Sequence, residues 1–308
     1  MSKTIDPTRQ ILISDRITID SNVLASTFTS FKIGGVVDLV AMPKSTDELI
    51  RCVNIANEHG VRYIVIGRGS NLLFSDDGYR GLVIKTEGIR SVTYEKKEDG
   101  SALITADCGT SLTALAHECA KRSLTGLEFA YGIPGSVGGA VYMNAGAYGG
   151  EMSNVVNKAL CYDTNEHKLI TLTSDKLKFD YRNSVFSTDR SLICLSVTMK
   201  LQVGNSDSIM ATMNANKNAR KEKQPLEYPS AGSVFKRHPG YFIGKIVDDM
   251  GLKGYTVGGA KVSEKHAGFI INKGNATAND VKALIELLSN RIFAEYGFYP
   301  ECEIITVD

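Results

Sequence analysis

The sequence predicts an α+β fold in more than one compact part, on three observations. Its 308 residues, 43% of them hydrophobic, exceed what one ordinary core encloses. Short β-type runs and amphipathic helical stretches are interspersed along the whole chain. After Pro225 and Pro229 the composition changes, which marks a boundary region between a polar helix and a second α+β run.

In order, the first thirty residues read as an irregular lead-in with one short strand. Lys32 to Met42 reads as a strand. Ser45 then caps a helix, with Glu48 closing the capping box and Leu49, Ile50, Val53 and Ala56 facing inward up to Gly60. Val61 to Ile66 is a buried strand, which completes a small α/β unit over about residues 30 to 85. Three β-type segments follow between Leu82 and Asp107, broken at Gly88 and at Lys96 to Gly100. Ser111 caps a helix that carries Leu112, Leu115, Ala116 and Cys119 inward. Residues 155 to 201 are β-rich, with a hairpin tip at Asp163 to His167 and a strand from Leu192 to Leu201, and a polar helix runs from Ser206 to Lys221. Beyond the boundary come a helix from Pro239 to Met250 stopped by Gly251, a Gly-rich turn, and a strand from Ala267 to Asn272. Thr277 caps a helix from Ala278 to Tyr296 whose buried stripe is Val281, Leu284, Ile285, Leu288, Ile292 and Phe293; a strand from Cys302 to Val307 closes the chain.

Composition excludes several classes of function. A net charge of +1 argues against a binder that works by neutralising nucleic-acid phosphates. The charge runs Glu95 to Asp99 and Lys217 to Lys223 read as a solvated turn and a solvated helix end. No apolar stretch approaches the roughly twenty residues that cross a bilayer, and no basic-then-apolar leader opens the chain. A cytoplasmic location and a monomer are expected. Cysteines 52, 108, 119, 161, 194 and 302 are scattered, and the five histidines lack zinc-type spacing, so reduced buried thiols and no metal site are expected.

The run Gly132 to Gly150 is the most informative segment. Its density of glycine lets main chain turn sharply and press amides against a flat or anionic group. Upstream, Gly67-Arg68-Gly69-Ser70-Asn71-Leu72-Leu73 follows a strand and is short enough to wrap a phosphate. It lacks the third glycine and the following helix of a dinucleotide fingerprint, and it has no Gly-Lys-Ser/Thr. Together the two segments suggest a large nucleotide held from two sides without Rossmann topology.

Those segments, with Phe31-Lys32-Ile33-Gly34-Gly35, Tyr181-Arg182-Asn183-Ser184-Val185-Phe186, Gln224-Pro225 through Ala231-Gly232-Ser233-Val234-Phe235-Lys236, and Gly251-Leu252-Lys253-Gly254 through Lys265-His266, resemble the UDP-N-acetylenolpyruvoylglucosamine reductase (MurB) family, in order from about residue 27 to 305. The resemblance implies an FAD-binding fold of the vanillyl-alcohol oxidase/p-cresol methylhydroxylase type in two subdomains, plus a C-terminal α+β substrate domain. The expected division is a lead-in over 1–30, FAD subdomains over 31–88 and 89–222, and a substrate domain over 223–308. The implied activity is reduction of UDP-N-acetylglucosamine enolpyruvate by NADPH through FAD, in peptidoglycan precursor synthesis and hence cell-wall growth, shape and division. No room exists between Leu201 and Gln224 for the inserted tyrosine loop of one branch, so the chain resembles the shorter branch.

That chemistry sets residue types. Hydride addition leaves negative charge beside the substrate carboxylate, which calls for a cation, an orienting polar group and a proton donor. By resemblance, Arg182 grips the carboxylate, Ser233 donates the proton and Glu301 is the catalytic glutamate, with Glu303, two residues on, a weaker candidate. Cofactor contacts are expected from Gly67, Arg68, Gly69, Ser70, Asn71 and Leu72, and from Gly132, Ile133, Pro134, Gly135, Ser136, Gly138, Gly139, Ala140, Asn144, Ala145 and Gly146. Tyr181, Lys236, Arg237, Lys265 and His266 are expected around the substrate, although the position of Arg237 is commonly Asn in the family. Two other readings compete: a flavin oxidase of the same fold, whose flavin is often tethered through His or Cys, and a non-enzymatic nucleotide-sugar sensor. The loops at 67–73 and 132–150 contain neither His nor Cys, and Arg182, Ser233 and Glu301 are all present.

Overall fold

A computed structural model describes residues 5–308. The lead-in is more ordered than its sequence predicts. Ile5–Ser14 is a helix that buries Ile5, Thr8 and Leu12, and Thr18–Leu24 is a strand. Pro7 falls in the first turn of that helix, where a missing amide hydrogen costs nothing.

The helix Thr46–Glu58 forms as predicted. The Ser45 hydroxyl accepts from Glu48 N (3.1 Å), while the Glu48 carboxylate reaches one residue further back, to Lys44 N (2.7 Å). It buries Leu49, Cys52, Val53 and Ala56 in a core with Leu39, Ala41, Leu82 and Ile84. Those strand residues belong to a four-stranded sheet ordered Thr18–Leu24, Val36–Met42, Tyr79–Lys85, Tyr63–Ile66. A second, antiparallel sheet is ordered Lys168–Thr173, Val156–Asp163, Leu192–Val203, Ser101–Asp107, Val92–Lys96, with Leu124–Thr125 also paired to Leu192–Val203. Its alternating residues, among them Ile104, Ala159, Val197 and Met199, share a core with Leu115 and Cys119 of the helix Leu112–Lys121.

The chain divides into two compact units. One holds the described residues up to Asp20, Leu39–Arg68 and Gly81–Arg220; the other holds Ser21–Asp38, Gly69–Arg80 and Lys221–Asp308. Gly69–Arg80, which takes in most of the first glycine-rich segment, is thus grouped with the C-terminal residues.

In the second unit, Leu72–Phe74 pairs in parallel with Ile305–Val307, and Thr256–Val257, Ala260–Val262 and Ile270–Asn272 form a small antiparallel sheet. The predicted strands 267–272 and 302–307 are thus present but shorter. The helix Ala278–Tyr296 starts at its expected Thr277 cap, and the Asp76 carboxylate accepts from the free amides of Ala278 (2.7 Å) and Asn279 (2.9 Å). Val281, Leu284, Leu288 and Ile292 are buried as expected, but Phe293 is 45% exposed and stacks on Tyr299. The predicted helix from Pro239 is cut to Ile243–Asp249, because His238 and Tyr241 bridge across a tight turn first. No helix among the described residues is long and apolar enough to cross a membrane.

Burial pushes the thiols of Cys52, Cys108, Cys119 and Cys161 up to about 12, and no disulfide forms among the described residues. Such thiols stay protonated and unreactive at neutral pH.

Candidate active site

The strand Tyr63–Ile66 ends in the first glycine loop. The amides of Gly67 and Arg68 in the first unit, and those of Gly69 and Ser70 in the second, make no hydrogen bond among the described residues. Main-chain donors rarely stand unpaired without a partner in solvent or ligand, and consecutive ones form an anion cradle. Gly69 takes φ +60°, which an L side chain would strain. A β-carbon at Gly67 would overlap the Ser136 hydroxyl.

That hydroxyl accepts from Gly139 N (3.3 Å) as the N-cap of Val137–Tyr142, a short helix inside the second glycine run that its sequence did not announce. Within the run, Val137 N donates to Thr110 O (2.9 Å) and Gly138 N to Cys108 O (2.8 Å). A β-carbon at Gly138 would press on Cys108, so that glycine serves close packing of the run on its neighbour. Anion-ready amides therefore concentrate in the first loop, while much of the second run is bonded internally. These features fit a bound FAD: unpaired amides for its pyrophosphate, and glycine surfaces that no side chain obstructs. Gly67→Ala should displace the Ser136 cap, lower stability by about 1–3 kcal/mol and weaken flavin retention. Thermal melting with flavin titration checks this; a variant that melts and binds like the parent would refute it.

Asn144, expected at the cofactor, is fully buried and hydrogen-bonded through its side-chain amide. Its Nδ2 donates to Asp180 O (3.0 Å) and its Oδ1 accepts from Ser153 N (2.9 Å), fastening the glycine run to the turn at Asp180–Asn183. Arg182 sits in that turn at φ +52°. Its Nη2 donates to Gly146 O (2.9 Å), and the guanidinium lies 5.1 Å from the Tyr181 ring centroid. A cation is thereby fixed against the glycine run by backbone conformation, a hydrogen bond and an aromatic neighbour.

Ser233 follows Gly232, which takes φ +81°. Ser233 bridges Phe269, and Val234 N donates to Gly268 O (2.9 Å). On its other flank the same segment meets residues 301–303: Lys236 N donates to Glu301 O and Glu303 N to Val234 O (2.9 and 2.8 Å). The Lys236 ammonium, 19% exposed, pairs with the Glu301 carboxylate at 2.6 Å, the carboxylate side chain being 71% exposed. Lys236, expected at a diphosphate, thus also holds the expected catalytic glutamate. Asn71, expected at the cofactor, donates from Nδ2 to Glu303 O (2.9 Å) and accepts from Ile305 N (3.0 Å). It ties the first glycine loop to the segment bearing Glu301 and Glu303.

Around these, the Arg237 guanidinium lies 5.5 Å from the Phe242 ring, and Lys265 Nζ donates to Lys221 O (2.8 Å). His266 Nδ1 accepts from Gly268 N (3.0 Å), and burial holds its pKa below the ordinary histidine value. Its imidazole is therefore neutral at pH 7 with the proton on Nε2, a donor without charge. Among the expected catalytic residues, Arg182 lies in the first unit, and Ser233 and Glu301 lie together in the second.

Sequence reasoning missed Arg220. It lies in the charge run that reads as a solvated helix end, yet its Nε is buried without a hydrogen-bond partner. Its place one turn past Asn216 and two past Met213, which faces the core, was a signal available in the sequence.

Residues 37–168 match the family model of an FAD binding domain, and residues 224–307 match that of the UDP-N-acetylenolpyruvoylglucosamine reductase C-terminal domain. Two curated relatives are both UDP-N-acetylenolpyruvoylglucosamine reductases. That of Caldanaerobacter subterraneus subsp. tengcongensis is 45% identical over 98% of this chain and 97% of its own length. That of Clostridium novyi is 44% identical over 99% of this chain and 97% of its own. The solved reductase of Thermus caldophilus superposes with a TM-score of 0.79 at 33% identity, covering 95% of this chain and all of its own. With a flavin domain, the matching C-terminal domain and full-length relatives in agreement, the chain belongs to the UDP-N-acetylenolpyruvoylglucosamine reductase family and is an FAD-dependent oxidoreductase.

Proposed function

We propose that this enzyme, a cytoplasmic monomer, uses NADPH to reduce UDP-N-acetylglucosamine enolpyruvate to UDP-N-acetylmuramate for peptidoglycan, with Arg182, Ser233 and Glu301 as its catalytic residues. The FAD, when bound, supplies hydride to the enolpyruvyl double bond. The amides of residues 67–70 hold its pyrophosphate, and the glycine faces of residues 132–146 lie against it. Arg182 grips the substrate carboxylate, where negative charge accumulates as the carbon beside it becomes enolate-like. Ser233 delivers a proton to that carbon, and Glu301 orients the reacting group. Tyr181, Lys236, Arg237, Lys265 and the neutral His266 provide charge and hydrogen bonds for the UDP-sugar.

The observation that supports this reading is the backbone pairing of residues 234 and 236 with 303 and 301, which sets the segment carrying Ser233 beside the one carrying Glu301 and pairs Lys236 with that glutamate. An anaerobic visible spectrum tests it. NADPH should bleach the yellow protein, and UDP-N-acetylglucosamine enolpyruvate should restore the colour in a single turnover. A protein that takes up no flavin, or one whose bleached form ignores the enolpyruvyl substrate, would overturn it.

A further inference from the structure

Cys161 and Cys194 are far apart in sequence and stand directly opposite one another where Val156–Asp163 runs antiparallel to Leu192–Val203. In the same register Tyr162 faces Ile193 and Asp163 faces Leu192, and one step on Thr164 N donates to Ser191 O (2.9 Å). Bonded and unbonded pairs alternate along an antiparallel ladder. Counting back from Thr164 and Ser191 therefore makes the two cysteines a non-hydrogen-bonded pair, the kind whose α-carbons stand about 4.5 Å apart and whose side chains leave the same face. Both side chains do meet one core, that of Ala159, Val197 and Met199. The ladder is bulged beside them, with Leu195 the extra residue between the pairs Leu160–Ser196 and Cys161–Cys194. A disulfide spans α-carbons about 4.4–6.8 Å apart, so this pair can close without a change of register.

The surroundings set when it closes. Cys161 is fully buried and Cys194 is partly exposed, so an oxidant meets Cys194 first. Burial keeps both protons in place: it pushes the Cys161 thiol up to about 12 and the Cys194 thiol well above its ordinary value, where Cys161 and Cys108 add to the effect. The pair is reduced at rest and slow to react at neutral pH. Hydrogen peroxide supplies the missing oxidant. The Cys194 sulfur attacks one peroxide oxygen, breaks the O–O bond and becomes a sulfenic acid as the first water leaves. The Cys161 sulfur then attacks the Cys194 sulfur and forms the S–S bond as the sulfenic oxygen leaves as a second water. Two thiols are oxidised and one peroxide is reduced to two waters. Because Cys161 lies opposite, it reaches the sulfenic acid before further oxidant does.

We propose that Cys161 and Cys194 are an oxidisable pair that peroxide closes into a cross-strand disulfide, bracing the part of the chain that carries Arg182. The segment between the two cysteines includes the strand Lys168–Thr173 and the turn at Asp180–Asn183. A bridge at its base removes open conformations from the unfolded chain. The inference goes beyond the proposed function and does not depend on the roles given to Arg182, Ser233 or Glu301.

The test treats the FAD-loaded enzyme with hydrogen peroxide, removes the peroxide with catalase, and alkylates the unfolded protein for mass spectrometry. The treated protein should be lighter by the two thiol hydrogens, should leave two of its six cysteines unalkylated, and should yield a peptide that joins Cys161 to Cys194. Dithiothreitol should reverse all three changes. Closure should quicken about tenfold per unit of pH between about 7 and 9, as the thiolate fraction grows. Before reduction the bridged protein should melt about 5 °C or more above the reduced form. Cys161→Ala and Cys194→Ala should each abolish the joined peptide and the rise in melting, and Cys194→Ala serves alone if a change at the buried position impairs folding. Full alkylation after treatment, a bridge from Cys194 to Cys108, or a Cys194 that gains oxygen without bridging would overturn the pairing. A bridged protein that melts like the reduced one would overturn the brace.

Discussion

Replacing Ser233 by alanine is expected to leave bleaching by NADPH intact and to slow recolouring by the enolpyruvyl substrate by about 10²- to 10⁴-fold. The two half-reactions make different demands on the protein. Uptake of hydride by the flavin needs no proton from Ser233, whereas completion of the substrate half-reaction needs a proton on the carbon beside the carboxylate. A serine hydroxyl is a weak acid, so its usefulness depends on where it is held rather than on its intrinsic strength. The holding is explicit: Gly232 turns the chain into Ser233, the Phe269 bridge fixes one flank, and the hydrogen bonds of residues 234 and 236 to residues 268, 303 and 301 fix the next turn of backbone. Alanine keeps that backbone and removes only the oxygen. Stopped-flow absorbance on each half-reaction decides the matter. Equal loss of both would make Ser233 a structural residue and remove it from the chemistry.

Arg182→Lys should reduce the single-turnover rate of substrate reduction by about a hundredfold, with a smaller effect on substrate binding. Lysine retains the charge but loses the planar fork that can hold a carboxylate by two parallel bonds. As hydride arrives, charge grows on that carboxylate, so the lost interaction is larger in the transition state than in the ground state. The variant also loses the Nη2 bond to Gly146 O, a stability cost of roughly 0.5–1.5 kcal/mol, and melting should record it. A turnover rate equal to the parent's would show that charge alone suffices and that the bidentate grip is not used.

Much of the fold is legible from local physics. Ser45, Ser111 and Thr277 are capping residues followed by apolar stripes, and helices begin at each of them because an orphaned first-turn amide finds its partner within three residues. The helix Val137–Tyr142 is the opposite case. Gly138 and Gly139 disfavour a helix, but glycine at 138 allows contact with Cys108, and the bonds of residues 137 and 138 to residues 110 and 108 outweigh the propensity. The stripe of Ala278–Tyr296 is legible at Val281, Leu284, Leu288 and Ile292, but Ile285 is only half-buried and Phe293 is exposed, because periodicity marks a face but cannot tell how far along the helix its cover extends.

The candidate site divides in the same way. The sequence by itself determined which residue types are present and in what order: two glycine-rich segments, an arginine, a serine and a glutamate, each within a block that resembles one family. Tertiary structure alone decided what each does with its hydrogen bonds. Asn144 and Asn71 are expected at the cofactor; the structure adds that the first fastens the Arg182 turn and the second bonds a carbonyl at Glu303, far away in sequence. Lys236, expected at a phosphate, also pairs with Glu301. Arg220 sits in a run of exposed charges and is the one whose Nε is buried without a partner. Caps and periodicities arise from interactions a few residues apart, which a linear pattern records. Burial of a charge and the partner of an amide depend on segments that only the folded chain brings together.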